Sequence, residues 1–338
     1  MTKQVQQSIV GTWKVIKENY RFELGLALIM ILYALAGYGL ALLYDVGLRF
    51  SFFVYGSLHL KITFFAFVLF IAWHAYTTMI FVRPRRLTLY LYRDLRYSYF
   101  TNERLVRGLP LYFLTMIFVG AFTSIKTLIP VINPFSWDPF FMKLDSLLHG
   151  GVAPWRLLQP VLGFPVVTFI INFVYNCWLI VIFCVFYWQL FQLSKPKLRI
   201  RFIYSFVLCW IVPGSMLAVP LAAAGPCFYG DIVPGGQAFQ EQMAYLQRVD
   251  ETYPVWALDM QNTLLSYYKK EEVTYGAGIT AMPSMHVSIA FLIVLLARYY
   301  HRCVRYAAYI FFAFIMIGSV HLAWHYAIDG YVSIIATA

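Results

Sequence analysis

Two short motifs near the end of the sequence carry the side chains best suited to chemistry. Ser284 and His286 follow a proline, and His325 precedes Asp329 by four residues. Proline is common in the first turn of a helix, where free backbone N–H groups and the helix dipole favour an anion. A carboxylate that binds one imidazole nitrogen fixes the tautomer and leaves the other nitrogen as a base or nucleophile. The spacing therefore predicts that His325 and Asp329 share a helix face and that His286 donates a proton at a bound anion.

The composition of the chain indicates which elements position these motifs. Of the 338 residues, 61% are apolar and only 12% are charged. An ordinary soluble domain carries about 25% charged residues, so a cytosolic globular enzyme, a disordered chain and a fibrous protein are excluded. We expect an all-α, polytopic bundle of membrane helices. The net charge of +11 then needs no nucleic-acid partner, because basic residues concentrate in the cytoplasmic loops of membrane proteins.

About eight segments are apolar enough to cross a bilayer, which takes about 20 residues. The eighth has too few residues before position 338, so we expect this span to be incomplete. We interpret residues 1–108 as N-terminal spans with a basic cytoplasmic loop, and residues 109–338 as a catalytic bundle. The predicted spans cover residues 22–43, 52–82, 109–129, 164–193, 201–223, 283–298, 304–323 and 326–338.

The distribution of lysine and arginine assigns the loops to the two sides of the membrane. Alternate loops hold 18 of the 26 Lys and Arg residues, and the loops between them hold seven. Because basic loops stay in the cytoplasm, the N-terminus with Lys3, Lys14 and Lys17 is predicted to be cytoplasmic. The acidic loop 224–282 and both histidine motifs are then predicted to face the extracytoplasmic side.

A segment after the third span predicts a helix that lies in the outer interface instead of crossing the membrane. Apolar side chains recur with helical spacing between residues 140 and 148, among charged and proline residues. Asp145 either belongs to the wet face of this helix or lines a substrate pocket with His149. Tyr275, in the outer loop, is a further candidate substrate contact. The alternative is that its side chain only faces the membrane interface.

An anion at these motifs also requires a cation, and Lys126 is our first candidate. It ends the third span on the predicted outer side, where a lysine acts as a point charge. Ordinary snorkelling of this side chain to the membrane surface is the alternative. The other candidate cations on that side are Lys143, Arg156, Lys269 and Lys270.

Together these motifs resemble those of the type 2 phosphatidic acid phosphatase superfamily. The resemblance rests on the Pro-Ser-x-His motif that ends at His286 and the His-x3-Asp motif that begins at His325. It implies that His286 is the general acid, that His325 attacks phosphorus to form a phosphohistidine, and that Asp329 orients His325. It also implies that Ser284 helps to hold the phosphate, and that the reaction needs no metal ion or other cofactor.

The chain departs from the usual phosphatase pattern of this superfamily in two places. Gly318 and Ser319 stand where phosphatases carry Ser-Arg, and the Lys-x6-Arg-Pro motif is missing, with Arg83-Pro84 only a fragment of it. These departures resemble the inositol phosphorylceramide synthase branch, whose members transfer a phospho-headgroup between lipids. Residues 126–165 are also similar to that branch. The resemblance favours a lipid phosphotransferase over a lipid phosphate phosphatase that uses water as the acceptor.

Two other classes of function stay open at this point. His321, His325 and Asp329 have the i, i+4, i+8 spacing of zinc ligands on one helix, which would indicate a metalloenzyme. The polar groups could instead line the path of a transporter or channel, although the sequence has no inverted repeat of the kind many transporters use. The expected partners are lipid substrates and bilayer lipid, and the oligomeric state is left open.

Overall fold

The computed structural model describes the backbone of residues 3–338 and the side chains of residues 21–338. The side chains of Lys3, Lys14 and Lys17, on which part of the predicted orientation depends, lie outside these described residues. Within the described chain all regular structure is helical, which confirms the all-α prediction. In chain order the α-helices are α1 (Lys3–Leu43), α2 (Gly56–Thr77), α3 (Leu87–Asp94), α4 (Asn102–Ile132), α5 (Asp138–Leu148), α6 (Pro154–Leu162), α7 (Pro165–Asn176), α8 (Trp178–Phe191), α9 (Pro196–Ile211), α10 (Tyr229–Ile232), α11 (Gln240–Asp250), α12 (Trp256–Lys270), α13 (Met285–Ala297), α14 (Arg302–His321) and α15 (Ala327–Thr337).

Short irregular helices extend or connect these elements. Turns of 3-10 helix precede α2 and α10, and π-helical segments continue α2, α3 and α9. The 3-10 turns are Gly47–Arg49 and Pro226–Phe228, and the π segments are Thr78–Val82, Leu95–Tyr99 and Val212–Met216.

Six helical segments of the described chain are long and apolar enough to cross a membrane. They match the first five predicted spans and the seventh, with ends shifted by at most about seven residues. The sixth and eighth predicted spans form the shorter apolar helices α13 and α15. The six long segments are Arg21–Leu43, Gly56–Val82, Asn102–Ile132, Pro165–Phe191, Pro196–Met216 and Arg302–His321.

Helix α13 lies at the centre of the bundle. It is apolar on nearly every side, and most of its side chains are buried, as expected of a helix surrounded by others. It packs against α14, α15, α9 and α8. Helix α2 is the opposite case, because only 6% of the most apolar stretch of the span Gly56–Val82 is buried inside the protein. The motif that contains His286 therefore begins the most enclosed helix of the fold.

Helix α5 forms where the sequence predicts an interfacial helix, but its polar residues are arranged differently. Asp145 is only 4% exposed, so the wet-face alternative is wrong for this residue. Lys143 is exposed, as are the apolar side chains of Leu147 and Leu148. The buried face of α5 thus carries a carboxylate, because the start of α15 supplies partners for it.

Candidate active site

His325 lies in the turn between α14 and α15, so it does not share a helix with Asp329 as the spacing predicts. The chain reverses through Ala323, whose φ of 60° is in the left-handed region, and α15 begins only at Ala327. Oδ2 of Asp329 accepts a hydrogen bond from the Tyr326 N–H at 3.0 Å and lies 3.2 Å from Nδ1 of His325. The N-terminal cap of α15 therefore brings the carboxylate to the imidazole.

The surroundings of His325 fix its tautomer. Nδ1 lies 2.8 Å from the carbonyl oxygen of Ala281, in addition to its contact with Asp329. Both partners only accept, so Nδ1 carries the proton and Nε2 keeps its lone pair. Nε2 forms no hydrogen bond with any residue that the structure describes, and the side chain is only 6% exposed. This arrangement suits a nucleophile or general base.

His286 faces His325 from the start of α13. The centroids of the two rings are 6.0 Å apart, with an angle of 61° between the planes. The His286 ring packs between the rings of Tyr175 and Trp178, at centroid distances of 4.7 and 4.2 Å. Trp178 Nε1 also donates to the backbone oxygen of His286 at 3.1 Å. The aromatic neighbours hold the ring in place, and its nitrogens form no hydrogen bond with any side chain or backbone group of the described residues.

Lys126, on α4, is the cation that the fold brings to this pair. Its ammonium is near enough to His286 for its charge to act on that ring. Gly278, with φ of 90°, packs directly on the Lys126 backbone, where a Cβ atom would collide. Among the residues that the structure describes, no carboxylate forms an ion pair with Lys126. Because an unpaired ammonium at membrane depth is costly, an anionic ligand such as phosphate would stabilise it.

Ser284 and Tyr275 differ in their distance from this centre. Ser284 is fully buried as the N-cap of α13, and its Oγ accepts from the Val287 N–H at 3.4 Å. Tyr275 lies beside the start of α2, where its hydroxyl contacts Ser57 Oγ at 2.8 Å and its ring packs edge-on to Tyr55. Ser284 thus lies at the histidine pair, whereas Tyr275 contacts the outer end of α2.

Asp145 and His149 contact α15. The Asp145 carboxylate accepts from the N–H groups of Ala327 and Ile328, at 3.0 and 3.1 Å. His149 Nδ1 lies 2.6 Å from the Asp145 carbonyl oxygen, and its Nε2 lies 2.9 Å from the Tyr331 hydroxyl. Both side chains are therefore engaged within the protein, and their predicted contact with substrate stays a prediction.

The sequence patterns assign no role to three residues that shape this region, although Asp138 lies in the stretch 126–165 that carries part of the resemblance. Tyr175 and Trp178 lie in an apolar span and carry no local signal. Asp138 is fully buried, and its carboxylate accepts from the N–H groups of Ala224 and Gly225, both at 2.8 Å. Burial raises the pKa of Asp138 and of Asp145, and the N–H bonds to each carboxylate oppose that shift.

The zinc-site spacing does not produce a cluster. His321 ends α14, and its Nε2 lies 2.9 Å from Thr168 Oγ1, while His325 follows the left-handed turn. The three residues therefore do not follow one another along one helix face. Within residues 21–338, the structure contains no group of three His, Cys, Asp or Glu side chains that could hold a metal ion.

Comparison with known families agrees with this geometry. A model of the PAP2 superfamily matches residues 139–338, a region that contains His286, His325 and Asp329. No curated protein and no solved structure matches the chain. The match begins inside α5, continues to residue 338 and covers more than half of the sequence. The chain therefore belongs to the PAP2 superfamily, which makes it a membrane lipid enzyme of the phosphatase or phosphotransferase type.

Proposed function

We propose that the protein is a lipid phosphotransferase that works through a phosphohistidine at His325. It would move a phosphoryl group or a phospho-headgroup from a lipid donor to a hydroxyl acceptor. The observation that carries this proposal is the free Nε2 of His325, whose ring is oriented by Asp329 and the Ala281 carbonyl. The centroid of this ring lies 6.0 Å from the centroid of the His286 ring. An oriented nucleophile facing a second titratable group is the arrangement that covalent catalysis requires.

In the first step, Nε2 of His325 attacks phosphorus and the bond from phosphorus to the leaving oxygen breaks. Protonated His286 gives its proton to that oxygen, so the donor leaves as an alcohol. The Nδ1 proton of His325 stays between Ala281 and Asp329, whose negative charge stabilises the imidazole as it becomes positive. Lys126 and the first N–H groups of α13 would stabilise the phosphoryl oxygens.

In the second step, the acceptor hydroxyl gives its proton to His286 and its oxygen attacks phosphorus. The bond between phosphorus and Nε2 of His325 breaks, so the imidazole recovers its lone pair. The product is a new phosphate ester, and His286 is again protonated. A lipid hydroxyl as acceptor makes the enzyme a transferase, whereas water makes it a phosphatase.

The packing around Gly318 supports the transferase over the phosphatase. A Cβ atom at Gly318 would lie 2.8 Å from the Tyr175 ring, which also packs against His286. Ser319 is buried, and its hydroxyl donates to the carbonyl oxygen of Ile315 at 2.7 Å. The position of the phosphatase Ser-Arg pair is thus filled by closely packed small residues. Lys126 is the cation that would replace the missing arginine.

The test is transfer of a labelled phosphate by the purified protein. Phosphatidylinositol and phosphatidate, each carrying ³²P, are incubated in detergent micelles with and without ceramide. We expect a labelled phosphodiester from phosphatidylinositol or a labelled phosphomonoester from phosphatidate that forms only when ceramide is present, and a labelled protein intermediate with the acid lability of phosphohistidine. Release of inositol phosphate or free phosphate alone would identify a phosphatase, and transfer without any protein label would contradict the covalent step.

We also propose that the N-terminus is cytoplasmic and that the site opens to the extracytoplasmic side, on the basis of the loop charges. The test uses a variant without native cysteines and an impermeant maleimide on intact cells with the protein at their surface. The positions Glu251 and Arg302 are both exposed. We expect Glu251→Cys to react from outside and Arg302→Cys only after permeabilisation, and the reverse pattern would overturn the topology.

A further inference from the structure

Helix α5 carries two buried carboxylates, Asp138 and Asp145, which we name the carboxylate clamp. They are 0% and 4% exposed. They lie seven residues, or about two helical turns, apart, which places them on one face of α5. Neither forms an ion pair with a lysine or arginine among the described residues. Asp145 Oδ1 lies 3.8 Å from Nδ1 of His149, which is charged only when protonated. Two carboxylates buried without a lysine or arginine are costly, so their hydrogen-bond partners must account for them.

One part of the clamp holds the start of α15. The two oxygens of Asp145 accept from the N–H groups of Ala327 and Ile328, the first two residues of that helix. These N–H groups have no partner within the helix, and the helix dipole adds to their attraction for a negative charge. Asp145 therefore fixes the helix end that directly follows His325.

The other part holds the segments on either side of the His325 ring. Asp138 accepts from the Tyr326 hydroxyl at 2.9 Å and from the N–H groups of residues 224 and 225. The neighbouring Ala223 carbonyl accepts from the Ala281 N–H at 2.8 Å, and the Ala281 carbonyl contacts His325 Nδ1. Asp138 is thus connected to His325 through Tyr326 and, by a second route, through Ala281.

We infer that the carboxylate clamp positions His325 for attack on phosphorus, so that Asp138 and Asp145 act on the reaction without touching the substrate. This inference rests on the phosphohistidine mechanism proposed above. The two carboxylates accept five hydrogen bonds, all from residues 326–328, which follow His325, or from residues 224 and 225, next to the Ala223 carbonyl that holds Ala281. A nucleophile misplaced by about 1 Å costs about 100-fold in rate, so a small shift of this segment has a large effect.

The test compares a transition-state analogue with a ground-state anion in the purified protein. Orthovanadate accepts a fifth ligand from a nucleophile, whereas inorganic phosphate needs only the cation and N–H donors of the site. Affinity for each is measured from its protection against thermal unfolding in detergent. In Asp145→Asn, the side-chain NH₂ group replaces one of the two oxygens that accept from Ala327 and Ile328, so it faces a backbone N–H group and one hydrogen bond is lost. We expect this variant to bind orthovanadate about 100-fold more weakly and phosphate within about three-fold of the wild type.

A second variant decides the matter if Asp145→Asn does not fold. Tyr326→Phe removes only the hydroxyl that donates to Asp138, and we expect about a ten-fold loss of orthovanadate affinity with phosphate binding unchanged. Glu23→Gln is the matched control, because the Glu23 carboxylate, with 10% of its side chain exposed, binds Arg107 and Arg199 instead of the α15 segment. It should leave the ratio of the two affinities at the wild-type value.

Each other outcome overturns the inference in a distinguishable way. Wild-type affinity for both anions in a folded clamp variant would show that the clamp does not position His325. Equal losses for both anions would assign Asp145 a direct role in anion binding. Wild-type protein that binds orthovanadate no more tightly than its His325→Ala variant would contradict the proposed function itself.

Discussion

Two cations of α4, the buried Arg107 and the half-buried Lys126, have opposite electrostatic surroundings. Arg107 and Lys126 are 19 residues apart, which corresponds to roughly 28 Å along the helix, close to the thickness of a bilayer core. Arg107 donates to Glu23 at 3.0 Å and to Glu103 at 3.2 Å. Lys126 has no such partner among the described residues and instead lies near the His286 ring.

The arginine end of α4 is a closed network. Glu23 also accepts from Arg199 at 2.7 Å, and Arg199 donates further to the carbonyl oxygens of Leu190 and Arg107. These bonds join α1, α4, α8 and α9. A buried charge with partners thus holds helices together, whereas a half-buried charge without a partner depends on a ligand. This difference separates the structural end of the bundle from the candidate active site.

The largest effect is expected at the histidine pair. His325→Ala removes the nucleophile, so we expect turnover of the labelled lipid to fall by roughly 10⁴-fold or more in a folded protein. His321→Ala is the matched control: it lies four residues away and contacts Thr168 instead of the pair. Its turnover should stay within a few-fold of the wild type, and substantial turnover by His325→Ala would refute the mechanism.

The unpaired cation should matter nearly as much. Lys126→Met keeps the length of the side chain but removes the charge that would stabilise the phosphoryl oxygens, so we expect kcat to fall about 10²- to 10³-fold. Lys269→Met is the control, because Lys269 is an exposed lysine paired with Asp231. Steady-state transfer kinetics measure both, and equal activities of the two variants would remove Lys126 from the site.

The closed network should respond in stability instead of activity. Glu23→Gln leaves two buried arginines without their carboxylate, so we expect the free energy of unfolding to fall by about 3 kcal/mol. Thermal unfolding in detergent measures the loss. At temperatures well below the unfolding transition, kcat should equal the wild-type value. A lower kcat without a loss of stability would contradict the distinction between the arginine network and the candidate active site.

The smallest effect is expected at an exposed pair. Arg156 and Glu241 form an ion pair with side-chain exposures of 56% and 67%. Because water screens such a pair, Arg156→Ala should lower the free energy of unfolding by less than about 1 kcal/mol and leave kcat unchanged. A large loss of kcat would place Arg156 in the site as a phosphate-binding cation, and a large loss of stability would contradict the screening of this pair by water.

Much of the fold follows from local composition and periodicity. Apolar segments of about 20 residues must be helical in lipid, where every backbone polar group needs an internal partner. The spans were predictable for this reason, and α5 was predictable from the helical spacing of its apolar residues. The histidine motifs of the candidate site could also be found in the sequence, because their residue types and order match the pattern of the superfamily.

The tertiary structure decided how these side chains meet. The left-handed turn at Ala323 separates His325 from α14, and His325 also precedes α15, so the cap of α15, not a shared helix face, brings Asp329 to it. The other neighbours are remote in sequence, such as Ala281, 44 residues from His325, and Asp138, 188 residues from Tyr326. Sequence patterns report local periodicity, whereas these contacts depend on how separate helices pack, so the sequence determined the chemical groups and the packing determined their geometry.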